Sequence, residues 1–224
     1  MKFKLAMFVL LIIVIILVIN FHSIVGTIRK EVKGDIASKT FYQNKLANLN
    51  SVTPPENAVI LIGDSIFHGF KINGESGTPI VNYSIPGDTT SLLLQRLPSL
   101  NFSENNRVIL LIGVNDLGIN VAATEIIENI ALIVHRLELT VQEVIIAKLI
   151  LTNGITRSNS QIEIVNRLIA KKFGSDHRIL DFNIDLRLHI GSAWQYTTDG
   201  IHLNDHGYEI LEQVLNTVAQ NNAK

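Results

Sequence analysis

Residues 58–67 read Ala58-Val59-Ile60-Leu61-Ile62-Gly63-Asp64-Ser65-Ile66-Phe67. The apolar run is too short for a buried helix and rich in β-branched residues, so it predicts a strand with both faces covered. Gly63 ends the run. Four more short strands are predicted over Ile80–Tyr83, Val108–Ile112, Val144–Leu149 and Arg178–Phe182. Between them lie segments with a helical period. Thr89–Leu97 carries leucines in register. Ile126, Ile127, Ile130, Val134 and Leu137 form one apolar face, and Ile162, Val165, Leu168 and Ile169 form another. Ile210, Leu211, Val214, Leu215 and Val218 close the chain. Strands alternating with helices predict an α/β fold: a three-layer α/β/α sandwich around a central, mostly parallel five-stranded sheet.

In open parallel sheets, ligands bind beyond the carboxyl ends of the strands. Ser65 follows the first predicted strand. Gly87, in Ser84-Ile85-Pro86-Gly87, follows the second. Asn115, in Gly113-Val114-Asn115-Asp116, follows the third. Asp199-Gly200-Ile201-His202-Leu203 lies beyond the last strand, before the final helix. All of these segments are therefore expected at one sheet edge. A serine, a histidine and an aspartate are the side chains that make a hydroxyl attack a carbonyl. Ser65 would be the nucleophile, His202 the base and Asp199 the group that fixes the histidine tautomer.

Each residue also has a plainer use. Ser65 can cap a helix. Gly87 can be a turn glycine after Pro86. Asn115 can be a turn residue. His202 and Asp199 can sit in an ordinary polar loop. Asp64 and Asp116 read as structural carboxylates that bond loop amides, and Asp88-Thr89-Thr90 as a cap for the next helix. Trp194, Tyr196 and Asn153 are expected to border the substrate pocket, with core packing the alternative for the two aromatics. His202 and His206 are four apart, but Leu203 stands where a zinc-protease helix has glutamate, so no metal site is expected.

The four segments, in this order, resemble the SGNH/GDSL family of serine esterases and lipases over about Ala58–Leu215. The resemblance implies an oxyanion hole built from the backbone N–H groups of Ser65 and Gly87 and the side-chain amide of Asn115. It implies no cofactor and no metal. It also implies carboxylic-ester substrates that range from acetylated sugars to lysophospholipids. The residues around Ser65 lack the Gly-x-Ser-x-Gly elbow of the larger α/β-hydrolases. No long insertion reads as a lid, so a small acyl group such as acetyl is expected. Two rival readings stay open: transfer of the acyl group to a sugar hydroxyl, and a catalytically silent, membrane-tethered binding domain.

Charge is near balance, with 19 Lys and Arg against 20 Asp and Glu. The charges are spread out, so no nucleic-acid partner is expected. There is no cysteine, which excludes disulfides and thiolate metal sites. After Lys2 and Lys4, Leu5–Ile19 is continuously apolar. Residues 1–26 are read as a membrane anchor, with a cleaved signal peptide and secretion as the alternative. Residues 27–57 are read as a juxtamembrane helix and linker, with Ile28, Val32, Ile36, Phe41, Leu46 and Leu49 as its stripe, ended by Pro54-Pro55. Residues 58–220 form the hydrolase domain, expected outside the cytoplasm.

Overall fold

The structure, a computed structural model, describes residues 14–15, 18, 21, 24, 36, 39–71, 78–153, 157–190 and 195–220. The chain divides into two compact units, Met1–Lys39 and Thr40–Lys224. In the first, Val14, Ile15, Val18, Phe21 and Ile24 are helical and exposed. Most of the apolar run Leu5–Ile19 lies outside the described residues, as does most of the span 27–38. Among the described residues no helix is long and apolar enough to cross a membrane.

The second unit opens with helix α1 (Thr40–Asn50), followed by β1 (Val59–Gly63), α2 (Ser65–His68), β2 (Ile80–Asn82) and α3 (Thr90–Arg96). Next come β3 (Arg107–Leu111), α4 (Val114–Gly118), α5 (Ala123–Glu138) and β4 (Glu143–Ala147). The chain closes with α6 (Asn159–Phe173), β5 (Ile179–Leu180), α7 (Phe182–Ile190) and α8 (Asp205–Gln220). The five strands form one wholly parallel sheet in the order β2-β1-β3-β4-β5. All residues of β1 and β3 are buried, which accounts for their unbroken apolar runs. α3 packs on α5 and α5 on α6, while α7 packs on α8. Right-handed crossovers in this strand order put α3, α5 and α6 on one face of the sheet and α2 on the other, where Tyr208 of α8 bonds Ile66 of α2.

The strand order reverses direction between β1 and β3. A crevice opens at such a switch point, beyond the carboxyl ends of the two strands. The register there is Gly63 against Leu111, and the chains leaving the two strands reach Ser65 and Asn115 almost at once. A Cβ on Gly63 would lie 2.2 Å from the carbonyl oxygen of Leu111, so this close approach needs glycine.

Three expected elements differ in detail. β4 stops at Ala147, although the expected strand runs on to Leu149. Lys148 N–H still donates to Leu180 O of β5, but after it asparagine side chains take over: Asn166 holds the N–H and carbonyl of Leu149, and Asn183 accepts from the N–H of Leu151. β5 is only two residues long because Asp181 accepts from the N–H of Asn183 and starts α7, a helix the apolar pattern did not predict. In α1 the buried residues are Tyr42 and Leu49, while Phe41, placed in the predicted stripe, is exposed.

Candidate active site

Ser65 is the first residue of α2. The cap is its neighbour Asp64, whose carboxylate accepts from the N–H of Ile66. The carbonyls of this short helix are held from outside. Tyr208 donates to Ile66 at 2.9 Å, and Asn82 Nδ2 donates to Phe67 at 2.6 Å. A Cβ on Gly69 would lie 2.1 Å from the Tyr208 hydroxyl, so glycine makes room for that bond. These contacts fix the four-residue helix that carries Ser65.

The Asp199–His202 segment is a tight loop on a short antiparallel bridge between Thr197 and Leu203. Thr198 N–H donates to His202 O at 2.8 Å, and Asn204 N–H donates to Tyr196 O at 2.8 Å. Gly200 has a φ of 86°, in the left-handed region. A Cβ there would lie 1.5 Å from Nδ2 of Asn153, so Asn153 packs directly on this loop. Its N–H also donates to Gly200 O at 2.8 Å. Asp199 Oδ1 accepts from the N–H groups of Ile201 and His202, at 3.0 and 2.8 Å. Its Oδ2 lies 2.6 Å from His202 Nδ1. On the far side of the ring, His202 Nε2 lies 2.9 Å from Ser65 Oγ.

The protonation states follow. The hydrogen bonds from the backbone and ring of His202 hold the Asp199 carboxyl down at about 2. An ionised carboxylate only accepts, so the Nδ1 facing it carries the proton. Nε2 of a neutral ring is then an acceptor, and Ser65 Oγ–H donates to it.

Gly87 sits in a tight turn. Asp88 N–H donates to Ile85 O at 3.1 Å, Pro86 takes the second position and Gly87, with φ 81°, takes the third. That is a type II turn, whose third position requires positive φ. Asn115 lies beside it, its Nδ2 donating to Asp88 O at 3.0 Å. The Oδ1 of Asn115 accepts from Arg157 Nη2 at 3.2 Å.

Carboxylates buried behind the turn organise it. Within Asp88-Thr89-Thr90, the stretch expected to cap α3, the cap is Thr89, which accepts from Leu92 N–H. Asp88 instead accepts from Tyr42 Oη at 3.0 Å and Arg96 Nε at 2.7 Å. Asp116 accepts from the N–H and hydroxyl of Thr90, the first residue of α3, so it serves a helix end where a loop amide was expected. Complete burial, reinforced by the negative charges of Asp88 and Asp116, pushes the Asp64 carboxyl up to about 7.

The structure thus brings Ser65, Asp199 and His202 together, and places Asn115 beside the turn of Gly87. Asn153 supports the histidine loop. Tyr196 is buried, and Trp194 lies outside the described residues. His206 faces Glu209 at the start of α8, 3.2 Å from its carboxylate. Arg157 and Tyr42 were not picked out from sequence. Arg157 follows β4 in an irregular loop, and Tyr42 sits one place off the assumed helix stripe, so neither carried a signal.

Among solved structures, a Streptococcus pneumonia protein provisionally described as a platelet activating factor is 26% identical, with a TM-score of 0.70 over 86% of this chain and 99% of that one. A lipase/acylhydrolase from Enterococcus faecalis is 20% identical, with a TM-score of 0.61 over 75% and 97% of the two chains. A catalytic mutant of an acetylxylan esterase from Geobacillus stearothermophilus is 16% identical, with a TM-score of 0.60 over 75% and 96%. The last two likenesses concern the fold alone. No curated protein matches the sequence. The model of the GDSL-like lipase/acylhydrolase family matches residues 61–210, across all four segments around the crevice, and the chain belongs to that family.

Proposed function

We propose that the protein is a serine esterase that removes a short acyl group through an acyl-serine intermediate. The observation that carries this reading is the continuous bonding from Asp199 through both ring nitrogens of His202 to Ser65 Oγ. Ser65 attacks the ester carbonyl while Nε2 of His202 takes the hydroxyl proton. Asp199 stabilises the imidazolium that forms. The carbonyl oxygen becomes an oxyanion facing the N–H groups of Ser65 and Gly87 and the amide of Asn115. His202 then gives the proton to the leaving alcohol, and water attacks the acyl-serine by the same route in reverse.

The short acyl group is supported by a cavity of about 10 Å³. It is lined by Asp64 and Ile66 on either side of Ser65, by Val114 before Asn115, by Ile201 before His202, and by Leu111, Leu149, Ile150 and Thr152. That volume holds the centre of about one water-sized group, which suits a methyl. Polysaccharide O-acetyl groups are the substrates we favour. The tether reading stays a proposal, supported by the run Leu5–Ile19; flotation of the full chain with liposomes tests it.

A fluorophosphonate probe should label the wild type and leave Ser65→Ala unlabelled. Aryl acetates should be cleaved faster than butyrates and octanoates. Equal labelling of both proteins would sink the nucleophile, and a preference for octanoate would sink the acyl-length reading.

A further inference from the structure

An asparagine serves an oxyanion only when its nitrogen faces the substrate. Turned over, the same side chain presents lone pairs to a developing negative charge. Oxygen and nitrogen are nearly equal in size, so shape alone does not choose between the two orientations. Hydrogen bonds on both ends of the amide must make the choice.

Both are present at Asn115. Its Nδ2 donates to the carbonyl of Asp88 at 3.0 Å, and its Oδ1 accepts from Arg157 Nη2 at 3.2 Å. Turning the amide over would set oxygen against oxygen at Asp88 and N–H against N–H at Arg157. A primary amide has two N–H groups, and Asp88 takes one. The other is left for the reacting oxygen.

Gly118 makes the arginine contact possible. It ends α4, the short helix that carries Asn115. A Cβ at Gly118 would lie 3.0 Å from Arg157 Nη2 and 3.2 Å from both Cζ and Nε. The guanidinium therefore lies across the space a side chain would fill, and reaches Asn115 over it.

We infer that Arg157 is a positioning residue for the reaction: its guanidinium locks the amide of Asn115 in the donor orientation. The inference rests on the esterase reading above. The cation also draws electron density toward Oδ1. That makes the opposite N–H a stronger donor when the oxyanion forms, as in other linked hydrogen bonds. The gain belongs to the transition state, so it enters kcat and leaves KM nearly unchanged.

The test is a double-mutant cycle on the full chain, assayed with an aryl acetate. Asn115→Ala should lower kcat about a hundredfold to a thousandfold. Arg157→Ala should lower kcat by roughly tenfold or more with KM within about twofold, and should add no further loss on top of Asn115→Ala. Arg157→Lys should recover part of the loss. Gly118→Ala leaves Arg157 in place but crowds its guanidinium, so it should reproduce the Arg157→Ala defect and have no effect in the Arg157→Ala background. Wild-type kcat in Arg157→Ala, or losses that multiply in the double variant, would overturn the role of Arg157. If Ser65→Ala also kept wild-type turnover, the esterase reading itself would fall. If Ser65→Ala were dead and Arg157→Ala fully active, only the positioning role would fall.

Discussion

The hydroxyl of Tyr42, on the first turn of α1, donates to the buried carboxylate of Asp88, one residue beyond Gly87. A residue 46 positions upstream thus steadies the turn that carries Gly87. Arg96 bonds the other carboxylate oxygen, at 2.7 Å. Burial raises the Asp88 carboxyl, while Arg96 and Tyr42 act to lower it. Tyr42→Phe keeps the ring and deletes one buried donor, which costs about 1–3 kcal/mol. The melting temperature should fall by several degrees. An unchanged melting curve would show that Asp88 does not depend on α1.

Asp199→Asn replaces an ionised acceptor by an amide and loses the preference for a proton on Nδ1. Turnover should drop by up to about 10⁴-fold with the fold intact. Because hydrogen bonds from the backbone and ring of His202 hold the wild-type carboxyl at about 2, Asp199 should stay ionised throughout mildly acidic pH. An Asp199 carboxyl signal that titrates between pH 4 and 7 by NMR would overturn this.

Asp64 governs a separate pH effect, on stability. Its folded carboxyl is raised to about 7 by burial, against an ordinary value of 3.8. Between those values the native state holds a proton that the unfolded chain has released. Stability should therefore decline as pH rises from about 4 to about 7, through this group alone. Asp64→Asn keeps an acceptor for Ile66 N–H and cannot ionise. Its melting temperature should vary less than wild type over that window, and an equal or steeper decline would refute the assignment.

Ile201 lines the small cavity and is only partly buried, so trimming it should cost little stability. Ile201→Ala should raise kcat/KM for butyrate relative to acetate by a few-fold to tenfold, the scale set by one or two methylenes in an apolar pocket. An unchanged ratio would place the acyl group elsewhere.

The sheet was legible because buried parallel strands leave a strong mark: β1 and β3 are apolar at every position except Arg107 and Gly63. The placing of Ser65, Gly87 and Asn115 at one sheet edge was legible too, because each lies within five residues of a strand's carboxyl end. The supporting contacts were not. Asp88-Thr89-Thr90 reads as a helix cap and Thr89 is one, but nothing local shows that a tyrosine and an arginine bond the Asp88 carboxylate. Arg157 bonds Asn115 from a loop with no periodicity, 42 positions away. Side-chain bonds between distant loops leave no local pattern. The same holds for α7, whose start depends on Asp181 turning back onto Asn183.

The pairing of Gly63 with Leu111 has a consequence for how the enzyme would fail. Ser65 and Asn115 leave the sheet within a few residues of that pair, so a slip of one position would shift them by about 3.3 Å relative to each other. On the esterase reading, a displacement that large would part the Ser65 hydroxyl and the Asn115 amide from the one carbonyl that both must reach. Damaged molecules would then be silent instead of sluggish. In a heated sample, residual turnover would count intact copies, each working at full speed.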